Sequence, residues 1–596
     1  MSSADAVEEA APAPSPGAAA PGQAAETWRA ALERAPLRAA LALNVALFAL
    51  VYGAFRVYFR GNDDPMMMLL AAGVGRTASA SPYLLFSNVL VGLALEGLYG
   101  LTLAVPWYPL YLIGGLFLAH TALLYVVLRR HGAPGLGLYL GWFVLAGVEG
   151  LLGLQFTIVG MTLALGGLAL LFEAGREEPA DERRGWRLAA AGAALVVLGS
   201  LVRFLSALLA TGVAAPLLAL TLLDALRGAR PARRALAGYG AALLLSLLAH
   251  GLDRAACARD PGAAEFFRRN DPVTAVLDRG EDGWIPPEEL ERRIAAVGWS
   301  RNDFLMFRGW SLLNDEVFAT ERVQRFVADL PAWNRRLGWA GARAVVAGIL
   351  AEAAVRRAGL ALLLLAACVL WDRRALLAAL ATLGLILAAL GALTLVQKSP
   401  PPRVYLPLAA WAALLPLLLG PPLLAPSRGA RAAAPGGFAR RVVAGVALCL
   451  GLLGGAAQVW DLAARSGRAA EVHAEHARAL AALGADRGRL YLTWTGSLAW
   501  ESMRPFAPLE PLRGLVALET RYYATTRATL AAFGVRDPYL ALAQRRDVRA
   551  VIWRRNAPIA LAAYRAFMRE HYGLDVTLEP ELETAFFGVY RAAPPR

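Results

Sequence analysis

Lysine is almost missing from this chain: Lys398 is the only one in 596 residues, so arginine carries the basic charge. In so alanine-rich a chain this reads as a coding bias rather than a recognition surface. Cysteine is nearly as scarce. Cys257, Cys368 and Cys449 are the full set, and the last two fall in apolar runs. That excludes a disulfide framework and a cysteine-based metal site. Charge is sparse as well, at 18% of residues against 57% hydrophobic, and the mean hydropathy of +0.46 excludes a single soluble core. The solvent is lipid over much of the chain. Residues 1–36 are rich in Ala and Pro, carry Glu8 and Glu9, and lack the basic start and cleavage site of a secretory signal. They are expected to be a disordered cytoplasmic tail. No phosphate-loop glycine pattern, HExxH pair or internal repeat occurs, and the two halves do not mirror each other as in inverted-repeat transporters.

What is present is a series of apolar runs of spanning length, about 20 residues each. They fall near Leu37–Phe59, Trp107–Leu128, Gly135–Gly150, Leu154–Phe172, Leu188–Phe204, Leu205–Leu226, Ala235–Leu252, Arg357–Trp371, Ala375–Val396, Val404–Leu424 and Val442–Trp460. The sequence therefore predicts a mostly α polytopic bundle of about eleven spans over residues 37–460. Although the net charge is +14, the arginines cluster in short connections, where orientation signals sit, so nucleic acid is not indicated. With the tail inside, Arg129 and Arg130, the group from Arg176 to Arg187, the group from Arg227 to Arg234, Arg373 and Arg374, and the group from Arg428 to Arg441 all fall on the cytoplasmic side. This agreement requires Leu84–Val105, apolar enough to span, to lie on or dip into the outer face instead of crossing.

That topology leaves outer loops at 60–106 and 253–356 and an outer-face domain at 461–596. In the last, helical patterns alternate with β-rich runs at Leu490–Trp494, Val548–Trp553 and Phe586–Tyr590, which predicts a small α/β domain.

The residues most suggestive of chemistry are Gly61, Asn62, Asp63, Asp64 and Pro65, just beyond the first span. Adjacent carboxylates raise one another's pKa unless cations or hydrogen-bond donors compensate, so the pair suits a general base, a metal site, or both. Asp64, followed by Pro and MMMLLAAG, also reads as a helix N-cap, and Asp63 as a solvated loop carboxylate.

An acidic pair in the first outer loop, then the non-crossing helix SPYLLFSNVLVGLALEGLYGL, then a span entered through VPWYPLYL, resembles the type-C glycosyltransferases. The chain is also similar to bacterial membrane proteins that share an early NDD and a later ND-F-M-F-W pattern, here Asn302, Asp303, Phe304, Met306, Phe307 and Trp310. The resemblance implies a multi-pass protein of the bacterial inner membrane. It further implies transfer of a sugar from a polyprenyl-phosphate donor to an acceptor on the outer face, with donor and membrane lipids as partners. By position Asp63 and Asp64 match the first-loop acidic residues that activate the acceptor or hold a divalent metal, Mg or Mn, in that family. Asn-Asp-Asp here departs from the Asp-X-Asp of the metal-dependent members.

An inverting transfer needs a carboxylate for the acceptor proton and cations for the departing phosphate. Arg403 and Lys398 in QKSPPPR, and Arg203 in LVRFLS, are the outer-side candidates, Arg403 first because its fork matches phosphate oxygens; interfacial snorkelling competes for all three. Glu96, Asn302, Asp303 and Trp310 are candidates for lining the sugar or acceptor site. Glu149 in an apolar run is a functional carboxylate by default, whereas His120 suits helix–helix hydrogen bonding. His473 and His476 read as a solvated helix face rather than a metal site. A flippase for a lipid-linked glycan and a non-catalytic envelope assembly protein are the rival readings.

Overall fold

The computed structural model describes residues 34–177, 181–277, 285–330, 338–370, 372–396, 399–421, 437–484, 488–494 and 496–593. Nearly all of the expected tail, Lys398 and the arginines at 428 and 431 lie outside the described residues.

The apolar runs fold as helices α1 (Pro36–Ala54), α4 (Trp107–Trp142), α5 (Phe156–Ala174), α6 (Glu182–Val202), α7 (Phe204–Val213), α8 (Ala215–Leu226) and α9 (Arg230–Arg259). Helices α10 (Ala353–Ala366), α11 (Arg373–Val396), α12 (Pro402–Leu419) and α13 (Gly437–Gly484) follow. Before α4 come two shorter helices, α2 (Asp63–Ala72) and α3 (Val89–Leu101). Among the described residues seven helices are long and apolar enough to cross a membrane, and the α7–α8 pair, bent by 58°, makes an eighth. The chain is a mostly helical, multi-pass membrane protein. The count differs from the expected eleven for identifiable reasons. The expected runs Trp107–Leu128 and Gly135–Gly150 share one 41-residue element that continues to Gly147, made of two helices that meet at a kink at Gly132, whose φ of 58° and ψ of −144° are not helical. At 1.5 Å per residue it is about 60 Å long, enough for two crossings of a hydrocarbon core of about 30 Å. Helix α10 is 14 residues long, and the run at 442–460 belongs to the 48-residue α13, which passes through the expected boundary at 461.

Helix α3 has 13 residues, about 20 Å of rise, too short to span. Asn88 starts it, its side chain accepting from the Leu90 amide and donating to the Ala249 carbonyl at 2.9 Å, while Asp253 accepts from the Val89 amide at 2.7 Å. The start of α3 is thus tied to α9.

Helix α5 is the axis of the bundle, with 94% of its apolar window buried. It packs on α6 through glycines: a Cβ on Gly199 would stand 2.5 Å from the Gly160 carbonyl, and one on Gly167 would stand 2.5 Å from that of Gly192. Small residues at such crossings let two backbones meet where lipid supplies no hydrophobic drive. Gly199→Leu is therefore expected to cost about 1–3 kcal/mol by overpacking, read as a lower thermal midpoint in detergent. Gly97→Leu, with nothing within 4 Å of its added carbon, serves as the neutral control.

The C-terminal part holds a five-stranded mixed sheet in the order β4-β3-β5-β7-β6, with β3 (Leu490–Thr493), β4 (Val516–Glu519), β5 (Val548–Trp553), β6 (Leu578–Glu583) and β7 (Phe587–Ala592). Strand β3 pairs parallel with β4 and β5, and β7 runs antiparallel to β5 and β6. Strands β3 and β4 are buried along their whole length, as sheets covered on both faces are. Helix α14 (Ala557–Tyr572) connects β5 to β6. The three runs expected to be strands are β3, β5 and β7.

Candidate active site

The acidic pair opens α2. Its helix starts at Asp63, with Pro65 in the first turn, and ends at Gly73 in the left-handed region (φ 65°). A side chain at Gly73 would also strike the Ala80 backbone at 2.5 Å. Carboxylates in the first turn complement the helix dipole. The expectation that Asp64 is the N-cap does not hold: Asn62 occupies that position, and no side chain makes a capping bond there.

Asp64 is instead fully buried. Its Oδ1 accepts from the Tyr108 hydroxyl at 2.9 Å and the Phe156 amide at 2.9 Å, which joins α2 to the starts of α4 and α5. Its Oδ2 is buried without a partner. Burial pushes its carboxyl well above the usual range, the Asp63 charge adds to the rise, and the two bonds and Arg403 only partly oppose it. Asp64 is an internal crosslink.

Asp63 is different. Its side chain is 13% exposed, and its Oδ2 stands 3.5 Å from Nη1 of Arg403, itself 41% exposed. Arg403 lies in the first turn of α12 behind Pro400, Pro401 and Pro402, so a residue 340 positions away meets the acidic pair as a charged partner that water can reach.

Beside this pair, Tyr58–Phe59 (β1) and Gly153–Leu154 (β2) form a two-residue parallel ladder. It brings Arg60 to Glu149: Nη2 is 2.8 Å from Oε1. Arg465 of α13 grips both oxygens of the same carboxylate at 2.8 Å, and Gln458 donates to it at 3.3 Å. Asp461 in turn receives Arg465 and Arg357, each at 3.1 Å. Three guanidiniums thus face two carboxylates. The Nε atoms of Arg60, Arg357 and Arg465 are buried without an acceptor among the described residues. Tyr405 donates to Glu352 at 2.5 Å nearby.

Glu149 also lines a narrow cleft between α4, α5, α10 and α12. Its walls include Leu116, Ile158, Ala358, Leu406, Trp411 and Leu414. An apolar cleft therefore opens next to a cationic cluster and an accessible carboxylate.

Arg203 belongs to the same end. Its guanidinium lies 4.6 Å from the Phe86 ring centre and 5.5 Å from that of Phe156, the residue whose amide binds Asp64. The other expected site residues go elsewhere. Glu96, half-buried on α3, has no hydrogen bond or ion pair among the described residues. Asp303 closes a capping box with Ser300 and meets Nε2 of His571 at 2.7 Å; Asn302 donates to the Ala563 carbonyl at 3.3 Å. Both fasten the middle loop to α14. Trp310, with φ of 58°, is covered by the Arg521 guanidinium at 3.9 Å. His473 and His476 do not lie on a solvated face: both are buried, and His476 is engaged by the Leu498 carbonyl at 2.7 Å.

The group that could hold a divalent metal lies away from the acidic pair. At Asp63 the neighbouring group is a guanidinium and Asp64 is sealed, so the acidic pair does not offer one cation two carboxylates. Asp303, Glu570 and His571 do bring three ligand atoms within 4.8 Å of one another, a buried-to-surface group capable of coordinating a divalent ion.

Arg60, Arg465 and Tyr108 are the functional-site residues that sequence reasoning missed. Glu149 was the available signal, because a carboxylate at the end of an apolar run needs cations brought to it.

Together these features define a multi-pass membrane protein with a polar centre at one end of its helices and a mixed-sheet domain at its C-terminus. No protein-family model and no curated protein matches the sequence. Among solved structures it is similar to the crystal structure of ArnT from Cupriavidus metallidurans in the apo state, at 13% identity and a TM-score of 0.38, over 96% of this chain and 100% of that one. It is also similar to the structure of ArnT bound to undecaprenyl phosphate, at 15% identity and a TM-score of 0.35, over 93% and 99% of the two chains. A superposition this loose assigns no activity.

Proposed function

We propose that this chain is a glycosyltransferase of the bacterial inner membrane, moving a sugar from a polyprenyl-phosphate donor to an acceptor hydroxyl on the outer face. The observation that carries the reading is the placement of Asp63, an accessible carboxylate beside Arg403, next to a cationic cluster at the end of an apolar cleft.

In this reading the polyprenyl tail occupies the cleft and its phosphate meets Arg403, with the guanidiniums of Arg60, Arg357 and Arg465 adding positive charge behind it. Asp63 takes the proton of the acceptor hydroxyl as that oxygen bonds to the anomeric carbon. The bond from that carbon to the phosphate oxygen breaks, and its electrons leave with the polyprenyl phosphate, whose growing charge the guanidiniums neutralise. Asp64 shapes the base of α2 without exchanging protons. The arginine clusters supply the orientation, with the acidic end and the C-terminal domain outside.

Arg403→Ala is expected to lower turnover by about 10²–10³-fold, as removal of a donor to a developing charge does. Arg403→Lys is expected to recover little of it, because a point charge does not replace the fork. Initial rates with a purified polyprenyl-phosphate sugar check both. Mass spectrometry of lipid-linked sugars in cells lacking the chain tests the function itself. The expected result is an accumulated donor and a surface glycan short of one residue; unchanged pools of both would overturn the proposal.

A further inference from the structure

We infer that the C-terminal sheet is a positioning element of the active site: Glu519, acting through Arg76 and Tyr523, holds α2 so that Asp63 faces Arg403. This rests on the role proposed for Asp63.

The contact begins in the stretch just after α2. Gly75 forms a parallel bridge with Val516, and its carbonyl accepts from the Ala517 amide at 3.3 Å. It thereby covers the outer side of β4, an edge strand of the sheet. Unpaired strand edges accept added backbone in this way. One residue on, Arg76 is fully buried and its Nη1 lies 3.0 Å from Oε1 of Glu519, with side chains 1% and 2% exposed. The guanidinium also lies over the Tyr523 ring at 4.0 Å. The Tyr523 hydroxyl donates to Oε2 of Glu519 at 2.8 Å and touches the Met66 sulfur at 3.6 Å. Met66 stands one turn after Asp63, on the same face of α2.

Two further contacts fix the same stretch. The Ala78 amide donates to Thr529 Oγ1 at 3.3 Å, and the turn Trp500–Ser502 packs on both α2 and β1. The aromatic and polar segment around Trp500 is thus a clamp on the first loop. A buried ion pair of this kind adds little net stability over apolar packing. What it does supply here is one fixed geometry across 443 positions of sequence, at a helix whose first residue is the proposed base. Misplacing a reacting group by about 1 Å costs about 100-fold.

The test uses the full-length chain in detergent or nanodiscs with Glu519→Gln and the milder Tyr523→Phe. Hydrogen exchange is followed over residues 63–81, and kcat and KM are measured with a polyprenyl-phosphate sugar. In both variants exchange across α2 is expected to rise about tenfold or more while β5 and β7 keep their protection. Turnover is expected to fall about 10-fold in Tyr523→Phe and about 100-fold in Glu519→Gln, with KM for the donor within about twofold. Unchanged exchange over α2 in Tyr523→Phe would overturn the coupling, and so would a loss that falls on KM with kcat preserved. If the wild-type chain transfers no sugar, the proposed function fails while the exchange arm still decides whether Glu519 and Tyr523 hold α2.

Discussion

Asp63→Asn is expected to lower sugar transfer by about 10²–10⁴-fold, the usual worth of a positioned base, while Asp64→Asn stays within a few-fold of wild type. The two neighbours differ because the fold treats them differently. Asp63 is the carboxylate that water and an acceptor can reach, and its charge is balanced by Arg403 at 3.5 Å. An amide there keeps the shape and loses the negative charge and basicity that take the proton. Asp64 is buried, and burial pushes its carboxyl well above the usual range. In its Asn variant the amide oxygen still accepts from Tyr108 and Phe156, and the amide nitrogen stands where Oδ2 has no partner. Asp64→Ala is another matter: the Tyr108 hydroxyl and the Phe156 amide would be stranded, at about 1–3 kcal/mol each. Initial rates, paired with thermal midpoints in the same detergent, separate the chemical loss at Asp63 from the structural loss at Asp64.

Glu149→Ala is expected to destabilise the protein by about 3–5 kcal/mol, because it leaves two guanidiniums near the end of the bundle without their shared counter-ion. Glu149 sits just past the end of the α4 span. Burial would raise its carboxyl, but hydrogen bonds from Arg465 and the charge of Arg60 outweigh that and hold it at about 2. Since the folded value lies below the ordinary Glu value of about 4.3, its contribution is complete above that pH and fades as pH falls towards 2. A depression of this size corresponds to about 3 kcal/mol, in line with the mutational cost. Thermal midpoints of the wild type are therefore expected to drop between about pH 4.3 and pH 2, with Glu149→Ala showing a shallower fall from a lower start. A Glu149→Ala midpoint equal to wild type at neutral pH would show that the cluster is not coupled to folding.

Much of the fold could be read from the chain. Apolar run lengths and arginine placement identified a multi-pass bundle, and the requirement that every cluster share one side removed Leu84–Val105 from the spans. Helix α3, at 13 residues, agrees with that reading. Local alternation also revealed β3, β5 and β7. Strand β4 escaped because VALE carries no alternating polar face, both of its sides being covered. The break at Gly132 was legible: it falls in RRHGAPG, between the expected spans Trp107–Leu128 and Gly135–Gly150.

The site was legible in part. The acidic pair and Arg403 could be named separately, yet nothing local in the sequence says that positions 63 and 403 meet. The sequence offered Asp64 as a helix cap and Asp63 as a loop carboxylate, and only tertiary burial separates an accessible carboxylate from an internal crosslink. Asp303 and Asn302 were candidates for lining the sugar or acceptor site from their place in the large outer loop. The structure spends them on a helix cap and on the seam with α14.

The most direct measurement follows a radiolabelled sugar on a polyprenyl-phosphate carrier in proteoliposomes containing the purified chain, with Asp63→Asn alongside. The expected result is that label leaves the lipid for an acceptor in the wild type and stays on it in Asp63→Asn. Label that remains on the lipid in both and only crosses the bilayer, or transfer undiminished in Asp63→Asn, would contradict the central claim.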